Sequence, residues 1–285
     1  MVRKFPAHGW IGIALVGVIW PVNWALAGPL PATAYLFFPL WLGYCLFVDA
    51  LNVKRSGTSL LTRSKLRYVS LFLVSAPAWW IFEILNWRLR NWNYQGRDLF
   101  TDLEYLGLST FSFSTVIPAV FGTAELLRGT RWLQNLRPGP VLRPDAPTTR
   151  FFALLGLFSF VAMIAWPDAF FPFMWLSLFF IMEPINVWLG HRSLAEHTQT
   201  GDWRPVVAIW LGTLICGFFW EMWNWYSYPK WIYTVPWADF GHIFEMPLLG
   251  YGGYLPFGME LFALFHLLAG LFGRKKTEYV TAGIF

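Results

Sequence analysis

Residues 79–87 read WWIFEILNW, and residues 217–225 read GFFWEMWNW. Each segment sets a glutamate among rings and aliphatic side chains, then an asparagine three residues on: Glu83 with Asn86, Glu221 with Asn224. In a helix that spacing puts acid and amide on one face. Whether the surroundings are a soluble core or a bilayer decides how to read them.

Composition answers this. Only 13% of the 285 residues are Asp, Glu, Lys or Arg, against about 25% in a soluble domain. Hydrophobic residues make up 56% and mean hydropathy is +0.47, more apolar surface than a soluble chain of this length can hide. Working outward from 79–87, apolar stretches of membrane-crossing length fall at 9–27, 34–52, 68–87, 105–127, 151–167, 170–189, 205–226 and 248–272. The expected fold is therefore all-α and polytopic, with eight spans. The N-terminal MVRKFPAHGWIGIALVGVIW has no small-x-small cleavage site after its apolar run and reads as a retained first span. Pro21, Pro39, Pro77, Pro118, Pro172, Pro184 and Pro256 predict kinks or breaks in or beside the spans. Gly250, Gly252, Gly253 and Gly258 make the last span the least regular.

The net charge of +5 carries no nucleic-acid signal, because the basic residues sit in short loops. Arg3, Lys4, Lys54, Arg55, Arg63, Lys65, Arg67, Arg128, Arg131, Arg137, Arg143, Arg150, Arg192, Arg204, Arg274, Lys275 and Lys276 fall on one side of an eight-span topology; Arg88, Arg90, Arg97 and Lys230 fall on the other. The positive-inside rule then puts both termini in the cytoplasm, with a bacterial inner membrane as the expected location. Cys45 and Cys216 lie in apolar runs and predict no disulfide framework.

The two opening segments lie 138 residues apart, and other features recur at similar distances. Trp20-Pro21 matches Trp166-Pro167, FVDALN with Asp49 and Asn52 matches IMEPIN with Glu183 and Asn186, and Glu104 and Glu125 loosely match Glu245 and Glu260. This pattern predicts a duplication: residues 1–127 and 151–285 as four-span repeats, joined by a basic cytoplasmic linker, 128–150. Four spans being an even number, the repeats are expected to run parallel, about an axis near the membrane normal.

The carboxylates carry the functional signal, since an ionisable group in hydrocarbon is costly and is kept for a purpose or a partner. The expected acid–base residues are Glu83, Glu221, Asn86, Asn224, Glu245 and Glu260. Trp79, Trp80, Phe82, Trp87, Phe219, Trp220, Trp223 and Trp225 are the expected aromatic wall, with Asp49, Asn52, Glu183 and Asn186 as a second, inner layer of ligands. Each amide can donate to its acid or share a ligand with it; alternatively the pairs are interhelical glue, and Arg88 or Arg90 can neutralise an outer acid. His242 and Glu245 stand three residues apart, but a single histidine is a poor zinc site. His266 reads as an interhelical contact. No dinucleotide, Walker, HExxH or CxxC motif is present.

Three functions compete. The first is an intramembrane enzyme using buried carboxylates on a lipid or isoprenoid, by cyclisation, isomerisation or hydration, with rings stabilising positive charge. No cofactor is evident, although Mg²⁺ would serve a diphosphate substrate. The second is a proton- or cation-coupled transporter, and the third a non-catalytic assembly or pigment-binding scaffold. The expected partners are membrane lipid and a hydrophobic or amphipathic small molecule; the sequence specifies no oligomeric state.

Overall fold

The structure is a computed structural model describing residues 4–27 and 31–275. Arg3, Lys276 and the tail beyond lie outside the described residues. The chain is mostly helical: α1 (Ala7–Ala25), α2 (Phe37–Ser56), α3 (Leu60–Arg63), α4 (Lys65–Leu89), then strand β1 (Trp92–Gln95), α5 (Asp102–Phe113), α6 (Val116–Arg128) and α7 (Arg131–Gln134). There follow α8 (Ala146–Ala165), α9 (Pro167–Phe170), α10 (Ser177–Leu189), α11 (Ala195–Thr198), α12 (Arg204–Trp225), strands β2 (Lys230–Tyr233), β3 (His242–Ile243) and β4 (Met246–Pro247), and α13 (Tyr254–Leu271).

Six helical stretches are long and apolar enough to cross a membrane: Thr33–Ser56, Lys65–Leu89, Asp102–Arg128, Ala146–Ala165, Arg204–Trp225 and Leu248–Leu271. A seventh is the pair Pro167–Trp175 and Ser177–Leu189, bent by 42°. The expected first span is α1, a 19-residue helix whose aliphatic run is diluted by His8, Asn23 and three tryptophans. Six to seven spans thus stand where eight are predicted. The short fifth run, 151–167, borrows residues from Pro147 onward, the helix starting at Ala146 because the Asp145 carboxylate accepts from Thr148 N at 2.9 Å and caps it there.

Helices α1 and α2 pack side by side, as do α8 and α10, and between these pairs lie α4, α6, α12 and α13. The flanking contacts use glycine where backbones meet: a Cβ on Gly12 would stand 2.6 Å from Phe47 N, and one on Gly156 2.8 Å from Ile181 N. Trp41, Phe82, Phe121, Trp223, Phe257 and Phe262 fill the centre. Outward, α8 exposes Phe151, Leu154, Leu157, Phe158 and Val161; a helix apolar on all faces belongs in lipid.

Proline acts selectively. Pro77 sits within an unbroken 25-residue α4, whereas the Asp102–Arg128 span is interrupted at Ser114–Thr115. Pro118 offers no N–H to the Ser114 carbonyl and crowds that turn. Ser75 bridges the gap, its hydroxyl donating to Phe113 O at 2.6 Å and accepting from Ile117 N at 3.0 Å. The linker is more than a spacer: Gly139 N donates to Gly201 O and Leu142 N to Thr198 O, at 2.9 and 3.0 Å, docking it on the α11–α12 loop.

Candidate functional site

The site is organised by a short ribbon after α4 and α12. Strands β1 and β2 pair antiparallel with Trp92 opposite Tyr233, Asn93 opposite Ile232, Tyr94 opposite Trp231 and Gln95 opposite Lys230. Each strand is clamped by the asparagine of the helix before it. Asn86 Nδ2 donates to Trp92 O at 2.8 Å while its Oδ1 accepts from Asn91 N at 2.9 Å and Trp92 N at 3.3 Å. Asn224 Nδ2 donates to Trp231 O at 2.7 Å and its Oδ1 accepts from Trp231 N at 2.9 Å. Both amides are buried. They hold backbone and do not pair with their acids, which corrects the expectation of acid–amide pairing; a backbone N–H and C=O leaving a helix need such partners.

The clamped strands return aromatic donors to the acids one turn earlier. Glu83 Oε1 accepts from Tyr94 OH at 2.6 Å, Trp79 Nε1 at 2.8 Å and Trp92 Nε1 at 3.3 Å. Glu221 Oε1 accepts from Tyr233 OH and Tyr254 OH, each at 2.7 Å. Burial, then the facing carboxylate, pushes the Tyr94 and Tyr233 phenols well above their usual range, so both keep their protons. The two acids differ in what remains. Glu221 is fully buried, and its Oε2 has no hydrogen-bond partner among the described residues.

Glu221 lines a cleft of about 150 Å³ walled by Phe37, Trp79, Trp92, Tyr94, Tyr105, Phe113, Trp175, Trp220, Trp231, Tyr233 and Tyr254, with Ser109, Ser112 and Asn224 as further polar groups. Lys230, also in the wall, is ion-paired with Glu245. Glu83 stands behind the rings of Trp79, Trp92 and Tyr94. The arrangement sets a buried carboxyl with one unpartnered oxygen in the wall of an aromatic-lined space: such a group can give a proton to a weak base and accept one back, with ring faces to lie against positive charge.

Of the residues expected from sequence, the cleft gathers Glu221, Asn224, Trp79 and Trp220, and reaches Glu83 and Glu245 through their partners. Trp80 donates instead to Thr110 Oγ1 at 3.0 Å. Phe82 stacks on Trp175, Phe219 packs on Tyr44, and Trp223 packs on Trp41, all in the core. Trp87 is exposed, and Trp225 lies against Tyr226 and Phe244. The inner acids bind backbone. Asp49 Oδ1 accepts from Leu61 N at 3.0 Å, with His8 Nε2 3.1 Å from its Oδ2, and Glu183 Oε1 accepts from Ala195 N at 2.9 Å. In both cases the donor lies 12 residues past the acid. Asn52 and Asn186 donate to Gly122 O and Ala263 O, tying α2 to α6 and α10 to α13. Glu260 accepts from Leu178 N and Phe179 N at 3.1 and 3.4 Å, satisfying the N-terminus of α10 beyond its bend.

Glu125 pairs with Arg63, and Glu104 caps α5 through Thr101. His242 bonds Asp239 at 2.8 Å, away from Glu245's partner Lys230, and His266 bonds Phe262 O of its own helix at 2.8 Å while its ring stacks on Phe121. Among the described residues no group of three His, Cys, Asp or Glu side chains is placed to share a metal ion. Sequence reasoning missed Trp92, Tyr94, Trp231, Tyr233 and Tyr254. The usable signal was a second shared motif, Trp-x-Tyr, at 92–94 and 231–233. No protein family, curated protein or solved structure matches this chain.

Proposed function

We propose that the aromatic cleft is the active site of an intramembrane enzyme that isomerises or cyclises an unsaturated lipid or isoprenoid, with Glu221 as the acid. One observation carries the reading: Glu221 is buried in the cleft wall with Oε1 fixed by two phenols and Oε2 free. Carbon–carbon double bonds are weak bases. Protonating one needs a carboxylic acid held away from water and cation-stabilising surfaces beside it. In the proposed cycle the Glu221 carboxyl gives its proton to one alkene carbon and the cation forms on the other, facing the rings of Trp79, Trp92, Trp175, Trp220 and Trp231. Loss of a proton from a neighbouring carbon to the carboxylate restores the acid and leaves a shifted double bond. Attack by a second alkene before that loss gives a ring.

We further infer that the chain is two parallel four-helix halves with cytoplasmic termini in a bacterial inner membrane. The matched clamps at Asn86 and Asn224, and the matched backbone bonds of Asp49 and Glu183, support the duplication, and the placement of the basic residues supports the orientation. A transport pathway has less support, because Asp49, Glu183 and Glu260 each hold backbone N–H groups. A Mg²⁺–diphosphate chemistry has less support as well, since every acid-x-x-Asn amide is committed to backbone.

The test is deuterium uptake. The purified protein in lipid nanodiscs is incubated in D₂O with a panel of polyprenols and polyene hydrocarbons, and lipid extracts are read by mass spectrometry. We expect products carrying one deuterium from the wild type and none from Glu221→Gln. Products without deuterium, or equal deuterium uptake in the variant, overturn the assignment.

A further inference from the structure

A second pocket lies at the ribbon end of the molecule, between the two halves of the chain. Trp87, Arg88 and Arg90 at the end of α4 face Asp168 of α9 and Thr234 and Pro236 after β2 across it. It is separate from the aromatic cleft and shares no lining residue with it. Four arginines elsewhere are matched to acids, Arg63 to Glu125, Arg97 to Asp102, Arg192 to Glu196 and Arg204 to Asp202, whereas Arg67, Arg131, Arg137, Arg143 and Arg150 are not among the described residues; what sets Arg88 and Arg90 apart is that both line one pocket. Arg88 and Arg90 form no ion pair among the described residues, even though Asp168 borders the same space.

A cation in the last helical turn is favoured by the free carbonyls there, which accounts for Arg88 without a ligand. It does not account for Arg90, which lies past the turn with φ 56° and ψ 35°. That left-handed conformation favours glycine or asparagine. A long cationic side chain kept at such a position, beside a second unpaired guanidinium in one concavity, points to an anion. At the same end Trp87, Trp166 and Trp237 are exposed at 74%, 63% and 66%, as indoles at a membrane–water boundary are.

We propose that Arg88 and Arg90 bind a phosphate group, and the flanking indoles favour one carried by a membrane lipid over one free in solution. Guanidinium forks match phosphate oxygens in pairs, which an ammonium does not. The full chain is tested in nanodiscs of phosphate-free galactolipid doped with phosphatidylglycerol, with lipids retained on the protein counted by native mass spectrometry. Inorganic phosphate is the soluble competitor. We expect phosphatidylglycerol to be retained about tenfold over galactolipid, and the preference to vanish in Arg88→Gln/Arg90→Gly. The glycine suits the positive φ and keeps the helix end folded. Arg90→Lys should retain only part of the preference. Competition by millimolar inorganic phosphate would keep the phosphate site and name the soluble ion as its occupant. Equal retention of both lipids by the wild type with no phosphate binding overturns the proposal, as does undiminished phosphatidylglycerol preference in the double variant.

Discussion

The ring of Tyr254 lies directly over Gly217, where any Cβ would overlap it, and from there its phenol reaches Glu221 at 2.7 Å. Gly217 is the residue four before its acid, the position held by Trp79 before Glu83, and Trp79 itself donates to Glu83. Glu83 thus takes its i−4 donor from its own helix, while at Glu221 that side chain is missing and a phenol comes from α13. Gly217→Ala should therefore displace Tyr254. Overpacking of this kind costs about 1–3 kcal/mol, read as a lowered melting temperature in detergent. We expect the deuterium-incorporating activity to fall with it, even at temperatures where the variant stays folded. Unchanged melting and activity would show that Tyr254 has no need of the space.

The two acids should respond unequally to losing their strand phenol. Tyr233→Phe leaves Glu221 with Tyr254 alone, whereas Tyr94→Phe leaves Glu83 with both indoles. A hydrogen bond to a charged group is worth about 1.5–3 kcal/mol, or roughly ten- to over a hundredfold in rate if it acts in the transition state. Tyr233→Phe is expected to lie in that range and Tyr94→Phe to stay within severalfold of wild type. Turnover of the two purified variants under matched conditions decides it, and a larger loss in Tyr94→Phe would move the chemistry to Glu83.

Alkaline pH offers a separate check on the ribbon. Tyr94 and Tyr233 are pushed well above the ordinary phenol value of 10.0, first by burial and then by the facing glutamates. Below pH 10.0 the phenols are protonated in both folded and unfolded chains and their contribution is fully present. Above it the unfolded chain ionises first, so stability falls as pH rises toward the folded values. Thermal melts against pH should turn downward above pH 10, and a Tyr94→Phe/Tyr233→Phe double variant should show a shallower fall. Parallel curves for the two proteins would remove these phenols from the linkage.

The membrane-spanning character and the shared placement of Glu83 and Asn86, and of Glu221 and Asn224, one turn apart on a helix were legible because depth in an apolar run and a three-residue offset are local properties. What the asparagines bind was not, since the ribbon they clamp follows the helix through an irregular turn. The Trp-x-Tyr strands hid among aromatics that make up 20% of the chain, where no single ring stands out. The inner acids misled for a related reason. Asp49 and Glu183 meet the four-residue helices α3 and α11, too short to leave any periodicity in sequence. An acid holding a backbone N–H and one holding a substrate look alike until the loop is folded back.

That distinction can be measured at Glu183. Its Oε1 accepts from Ala195 N at 2.9 Å, and the residue is 4% exposed and does not line the cleft. A glutamine keeps an acceptor for that N–H and changes only the second oxygen, so Glu183→Gln should cost about 1 kcal/mol or less. Glu183→Leu removes the acceptor altogether and strands a buried N–H, at about 1–3 kcal/mol. Both losses should appear as lowered melting temperature, while turnover per folded molecule matches the wild type. Glu221→Gln is expected to do the reverse, holding its melting temperature and losing turnover, because a glutamine keeps an oxygen acceptor for Tyr233 and Tyr254 but has no acidic proton to give. If Glu183→Gln melted normally and lost activity, the inner layer would belong to the chemistry, and proton movement through the depth of the membrane would replace a single acid at the aromatic cleft.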